Sequence, residues 1–258
     1  MKIIKPLMAI ISILFATAPS FSQGKYLKYS DGNTILQGYL VKAKTDQKAP
    51  GVVIIHQWMG LTDHEKNTAD KLAALGYHAL AADIYGEGVT PKNTSEAGEK
   101  VDYYKTNFNV FQSRIQSAID QLIKEGADAN NIAVIGYCFG GTGAIEAARA
   151  HLLVKGIVSF HGGLSKNATR PNNLVKTKVL VLHGADDPFE SEEGIKSFQK
   201  EMRDGKADWQ MIYYANAVHS FTQKEAGNDN SKGAAYNEVA AKRSWEHMKL
   251  FLSEIFMR

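Results

Sequence analysis

The stretch that decides the fold is NIAVIGYCFGGTGAIEAARA, residues 131–150. It opens on a short continuous apolar run, NIAVIG, which suits a strand covered on both faces. It closes on GTGAIEAARA, which reads as helix. Between them stands Cys138, the only cysteine in the chain, with Gly136 and Gly140 on either side in the spacing G-x-C-x-G. Three readings compete: a buried small hydrophobe, a phosphate-binding loop, and a nucleophile on a strained turn. A dinucleotide loop needs glycine where Cys138 stands and an acidic residue after the next strand, and VSFHGGL has none. No G-x-x-x-x-G-K-[ST] occurs. A turn from strand to helix with glycine at both flanks fits the nucleophile elbow, because the chain entering and leaving it has no room for Cβ atoms. The helix that follows points its N-terminus at the sulfur, which favours the thiolate.

Outward from this stretch, GVVIIH (51–56), HALAAD (78–83), VKGIVSF (154–160) and KVLVLHG (178–184) are further short apolar runs. KYLKYS and TILQGYLVKA alternate like half-buried strands around an Asp31-Gly32-Asn33 turn. Helical patterns separate the later strands. Phe111, Ile115, Ala118, Ile119 and Leu122 recur at helical spacing before Gly126. The segment 238–256 is a closing helix with Val239, Trp245, Met248, Leu252 and Ile255 on or near one face. The longest excursion, 86–107, is expected to carry a helix of its own. Repetition of strand and helix predicts an α/β protein with a mostly parallel, doubly wound sheet and helices on both faces, as a single domain over 23–258. Ligands on such a sheet bind beyond the carboxyl ends of the strands.

A cysteine nucleophile needs a base and a group to orient it. Downstream, in the order such a fold requires, come HGADDPF and AVHSF. Asp187 is placed to orient the base, with its neighbour Asp186 as the competitor, and His219 follows the last strand as the base. His161 begins a loop after a strand and is placed to line the pocket, as is Tyr85 in DIYGEG. The remaining histidines end strands or lie in helix and edge contexts. With no H-E-x-x-H and no cysteine pair, neither a metal nor a cofactor is expected.

GYCFGG, HGADDPF, HSF, DIYGEG and the ending AYNEVAAKRSWEHMKLFL resemble the dienelactone hydrolase family of α/β-hydrolases, over nearly all of residues 25–256. The resemblance implies an α/β-hydrolase fold, Cys138 as nucleophile, His219 as base and Asp187, the residue before Pro-Phe, as its partner. It implies an oxyanion hole from the backbone N–H groups of Phe139 and Trp58, with Trp58 and Met59 in the pocket wall. Three positions depart from the family's pattern. Gln57 stands where the family has a glutamate that helps to activate the thiol. Glu87 and Gln223 stand where it has arginines that hold a substrate carboxylate. The expected function is therefore hydrolysis of a neutral ester, thioester or lactone. The alternative is a non-catalytic ligand-binding protein that has kept the fold.

The N-terminus carries Lys2 and Lys5, then an apolar run over residues 7–18, then SFS before Gln23. This is the pattern of a signal peptide over 1–22, shorter than a membrane span and without a cysteine for a lipid anchor. Export to the periplasm or the extracellular space is expected. Removal of that segment leaves 28 basic against 27 acidic residues. Such a balance gives no reason to expect a nucleic-acid or membrane-surface partner.

Overall fold

The computed structural model describes residues 24–256 apart from 46 and 168, so the expected signal peptide over 1–22 lies outside the described residues. Eight strands form one sheet: β1 (Lys25–Asp31), β2 (Thr34–Val41), β3 (Gly51–Ile55), β4 (His78–Ala82), β5 (Ile132–Tyr137), β6 (Gly156–Phe160), β7 (Lys178–Gly184) and β8 (Trp209–Tyr214). Their order across the sheet is β1-β2-β4-β3-β5-β6-β7-β8. The hairpin β1–β2 is antiparallel, closed by Gly32 and Asn33, and β2 lies antiparallel to β4; every later pairing is parallel.

Six helices cover the faces: α1 (Asp63–Ala74), α2 (Thr94–Thr106), α3 (Phe108–Lys124), α4 (Phe139–Arg149), α5 (Glu192–Asp204) and α6 (Glu238–Phe256). The apolar runs of the sequence divide cleanly between them. In β5, Ile132 and Val134 join one core with α3, α4 and α5, while Ala133, Ile135 and Tyr137 join the other with α1 and α6. That two-residue alternation is why a run with no polar position reads as a central strand.

Two expectations shift. The helix after the elbow begins at Phe139, immediately after Cys138, and not at Gly141. Val239 is 55% exposed; the buried stripe of α6 begins instead at Ala240 and Ser244, whose small side chains let the helix lie close to the sheet before Met248, Leu252 and Ile255 take over.

After β3 the chain moves to β4 on one side, and it later returns to β5 on the other. The carboxyl ends of β3 and β5 are therefore the point where successive connections diverge, and a crevice opens there. Helix α4 enters this crevice at the closest backbone approach of the elbow. A Cβ on Gly140 would lie 2.1 Å from the Ile55 carbonyl oxygen and 2.7 Å from that of His56; one on Gly136 would lie 2.0 Å from the Gly140 oxygen. At its other end, α4 is anchored by a buried ionic quartet. Arg149 donates to Glu146 and Glu201, and Arg170 donates to Glu146.

Gly140→Ala should destabilise the protein by roughly 3 kcal/mol, because rigid backbone faces the added methyl group. Gly98→Ala, in a helix with nothing within 4 Å of the new atom, should stabilise it by about 0.5–1 kcal/mol. Equilibrium urea unfolding measures both, and equal stability of the two variants would contradict the crowding.

Candidate active site

Cys138 takes φ 54° and ψ −117°, a left-handed backbone that a side chain accepts only under constraint. The constraint is visible. Its N–H donates to the Phe160 carbonyl at 3.0 Å, and its carbonyl accepts from Thr142 N–H at 3.2 Å. The turn lifts the thiol above the sheet, where the residue is half-buried.

From there a hydrogen-bonded line runs through three strand ends. Cys138 Sγ lies 3.1 Å from His219 Nε2, and His219 Nδ1 lies 2.9 Å from Asp187 Oδ2. The other Asp187 oxygen accepts the Phe189 N–H at 2.9 Å, which fixes the carboxylate. With a buried carboxylate on Nδ1, that nitrogen carries a proton in either charge state of the ring, and Nε2 faces the sulfur. The competing Asp186 is exposed, and its N–H is tied to Ala217. The backbone of His219 is held to a neighbouring loop by bonds from its N–H to Gly233 and from Ala235 to its carbonyl. Burial opposes a charge on the His219 ring. Hydrogen bonds to Asp187 and Cys138, with their negative charge, outweigh it and raise its pKa to about 10.

The two amides named from the sequence belong to the start of α4 and to the turn after β3. Phe139 N–H opens α4, and Trp58 lies in a tight turn closed by Gly60 N–H to the Gln57 carbonyl at 3.1 Å. This turn is braced from three directions. Tyr85 donates its hydroxyl to the Trp58 carbonyl at 2.8 Å. His56 accepts the Ile84 N–H on Nε2, so its Nδ1–H donates to the Gln57 carbonyl at 2.6 Å. Glu65, wholly buried, accepts from Gln57 Nε2 and from both the N–H and the hydroxyl of Thr62. Sequence reasoning missed Glu65 as a brace. The signal was present as Thr62-x-x-Glu65, a capping box at the start of α1.

A cleft of about 550 Å³ opens beside Ser220, the residue after His219, lined by Gln57, Trp58, Met59, Ser220 and Gln223 among others; Cys138, His219 and Asp187 adjoin it without lining it. Its charged lining residues are Asp63 and Glu225, with no lysine or arginine. Gln223 brings to it an Nε2 without a hydrogen-bond partner. A smaller space of about 270 Å³ lies on the Phe189 side, between Tyr104, Thr142 and Gly163.

Of the residues placed at the pocket from the sequence, Gln57 lines the cleft, whereas Tyr85 and His161 turn elsewhere. Tyr85 is buried as the brace of the Trp58 turn and does not line the cleft. His161 is fully buried behind His219, with ring centroids 5.2 Å apart and its Nε2 on the Thr222 hydroxyl at 2.8 Å. Burial, then the nearby His219, push its pKa well below the ordinary value, so it stays neutral. Glu87 points to the sheet edge, paired with Lys28 and hydrogen-bonded from Gln37, and puts no charge into the cleft. Among the described residues, no group of three or more His, Cys, Asp or Glu side chains is arranged to hold a metal ion. A thiol, an imidazole and a carboxylate hydrogen-bonded in line form an arrangement that can carry out acyl transfer.

Residues 36–256 match the dienelactone hydrolase family. A solved dienelactone hydrolase-like promiscuous phosphotriesterase from metagenomic libraries is 37% identical, with TM-score 0.84, covering 90% of this chain and 98% of its own. Another solved structure, m3DLH, is 35% identical with TM-score 0.86 and covers 91% and 98%. A Caenorhabditis elegans protein, K02A2.1, is 31% identical over 146 residues, which is 55% of this chain and 92% of its own length.

A His219 pKa of about 10 lies above the unfolded value of about 6.5. Its charged form therefore adds stability that is fully present below pH 6.5 and is lost as pH rises toward 10. The melting temperature of the wild type minus that of His219→Gln should fall steadily from pH 6 to pH 10. A flat difference would show that the imidazolium is not held in place.

Proposed function

The chain belongs to the dienelactone hydrolase family, and from that premise we propose that it is a cysteine-nucleophile hydrolase of carboxylic esters, thioesters or lactones whose substrate is neutral near the reacting carbonyl. The observation that carries this reading is the line from Cys138 Sγ through His219 to Asp187. The sulfur, its proton held on His219 Nε2, attacks the carbonyl carbon. The Phe139 and Trp58 N–H groups hold the oxyanion that forms. The leaving alkoxide takes the proton from His219, leaving an acyl thioester on Cys138. His219 then removes a proton from water, whose oxygen attacks the thioester, and collapse expels the thiolate and frees the acid. Asp187 keeps the imidazole in the required tautomer and offsets its transient charge. With Gln57 held by Glu65, proton removal from the thiol falls to His219.

Export to the periplasm or the extracellular space is part of the proposal, supported by the basic, apolar and small-residue pattern of 1–22. Among the described residues no helix is long and apolar enough to cross a membrane.

Cys138→Ala should lower 4-nitrophenyl acetate turnover by about 10³-fold or more while the melting transition stays cooperative, and Cys138→Ser should keep little activity. Asp187→Asn should cost on the order of 10²–10⁴-fold in kcat, and Asp186→Asn about twofold or less. Near wild-type turnover of Cys138→Ala would remove the nucleophile assignment.

The cleft's lack of a cation sets the charge preference. Methyl 4-nitrophenyl succinate should be hydrolysed with about threefold higher kcat/KM than its free acid, because no lining cation receives a carboxylate and Glu225 repels it, while Asp63 is paired with Lys66. Gln223→Arg should move the ratio toward the acid, mainly through KM. Glu87→Gln should leave it unchanged, since that side chain pairs with Lys28. A wild type that favours the acid would refute the neutral-substrate reading.

A further inference from the structure

A larger cavity of about 710 Å³ lies on the α1 and α6 side of the carboxyl edge, roofed by the loop that follows His219. Tyr137 and Phe160, both buried and stacked with centroids 4.5 Å apart, line it from the ends of β5 and β6. Lys71 from α1, Lys224 from the loop, and Lys242 and Arg243 from α6 also line it. Lys242 is paired with Glu238, and the cavity's one carboxylate, Glu246, is paired with Lys249. Among the described residues, Lys71, Lys224 and Arg243 form no ion pair, and the Lys71 ammonium lies 5.6 Å from the Trp245 ring centroid. His64 lines both this cavity and the reactive cleft. Burial holds His64 below its ordinary pKa, so it is neutral, and its buried Nε2 has no hydrogen-bond partner.

The two spaces that share His64 therefore differ in sign. The cleft lining has two carboxylates, of which Asp63 is paired with Lys66, and no cation; the cavity lining has four cations, of which Lys242 is paired, and one carboxylate that is already paired. A solvated basic face would need no stacked aromatic floor, and a site for a bare inorganic anion would not offer one. The volume is that of a small-molecule site. Unpaired cations around an apolar floor suit a flat organic body with a single negative charge. We propose that this cavity is a second binding site, separate from the reactive cleft, for a flat organic anion of the aromatic carboxylate class.

Occupancy would press on groups that hold the triad. Phe160 accepts the Cys138 N–H through its carbonyl, and Thr222, in the cavity wall, holds His161 behind His219. The ligand should therefore alter ester turnover without competing for the cleft.

The test is calorimetric titration of 2-naphthoate into the mature wild type, the Cys138→Ala variant and the triple variant Lys71→Gln/Lys224→Gln/Arg243→Gln. Neutral 2-naphthamide serves as the control ligand. Wild type and Cys138→Ala should bind naphthoate alike at submillimolar concentration. The triple variant should bind about tenfold more weakly, with an unchanged melting temperature because all three side chains are exposed. Naphthamide should bind wild type about tenfold more weakly than naphthoate. In the wild type, naphthoate should change kcat for 4-nitrophenyl acetate while KM stays within about twofold. Absence of binding, equal binding by the triple variant, equal affinity for naphthamide, or inhibition through KM alone would each overturn the proposal. The binding arms use no catalysis, so they decide it even if Cys138 is not the nucleophile.

Discussion

The contact between the first turn of α4 and the last carbonyls of β3 governs everything at the carboxyl edge of the sheet. Gly140 passes so close to the Ile55 and His56 oxygens that no side chain fits between them. The same contact brings the start of α4, directly after Cys138, against the end of β3, from which the Trp58 turn departs. The left-handed backbone of Cys138 costs on the order of 1–3 kcal/mol. It persists because the Phe160 carbonyl and Thr142 N–H hold the residue on both sides.

Geometry written along the chain was legible in the sequence; geometry between distant side chains was not. The parallel strands could be read because a strand covered on both faces is apolar almost throughout: apart from the Tyr137 hydroxyl, the polar residues of β3 to β7 are His78, Ser159, Lys178 and His183. Cys138 was readable from two glycines whose spacing has a steric cause. Glu87 was misjudged because its residue type says nothing of its direction, and Lys28, 59 positions earlier, pulls it to the sheet edge. Tyr85 and His161 stand where a pocket residue could stand, yet both turn inward to hold another part of the site. Glu65 looked like an ordinary helix cap; only the folding of Gln57 onto it makes it a brace.

Division of labour follows from these orientations. Cys138, Asp187 and His219 follow strand ends, whose positions the core enforces. The lining of the cleft comes from the turn after β3, the start of α1 and the loop after His219. Behind them stands a layer of buried polar side chains, namely His56, Glu65, Tyr85 and His161, whose hydrogen bonds hold neighbouring parts of this edge in place. The hydrogen bonds of His56 also define its tautomer, which lets it couple the ends of β3 and β4 without carrying charge.

The buried quartet of Glu146, Arg149, Arg170 and Glu201 has a consequence for the protein's history. Its members come from α4, from the segment after β6 and from α5, and Lys166 adds a further pair to Glu201. Losing Arg149, the buried cation that both carboxylates share, costs about 3–5 kcal/mol for a broken buried pair. Replacing the set with apolar residues of similar volume would cost far less. The four positions are therefore expected to be inherited as a block, drifting only by joint replacement. Lineages that diverge in their cleft loops should still share the quartet or lack it entire.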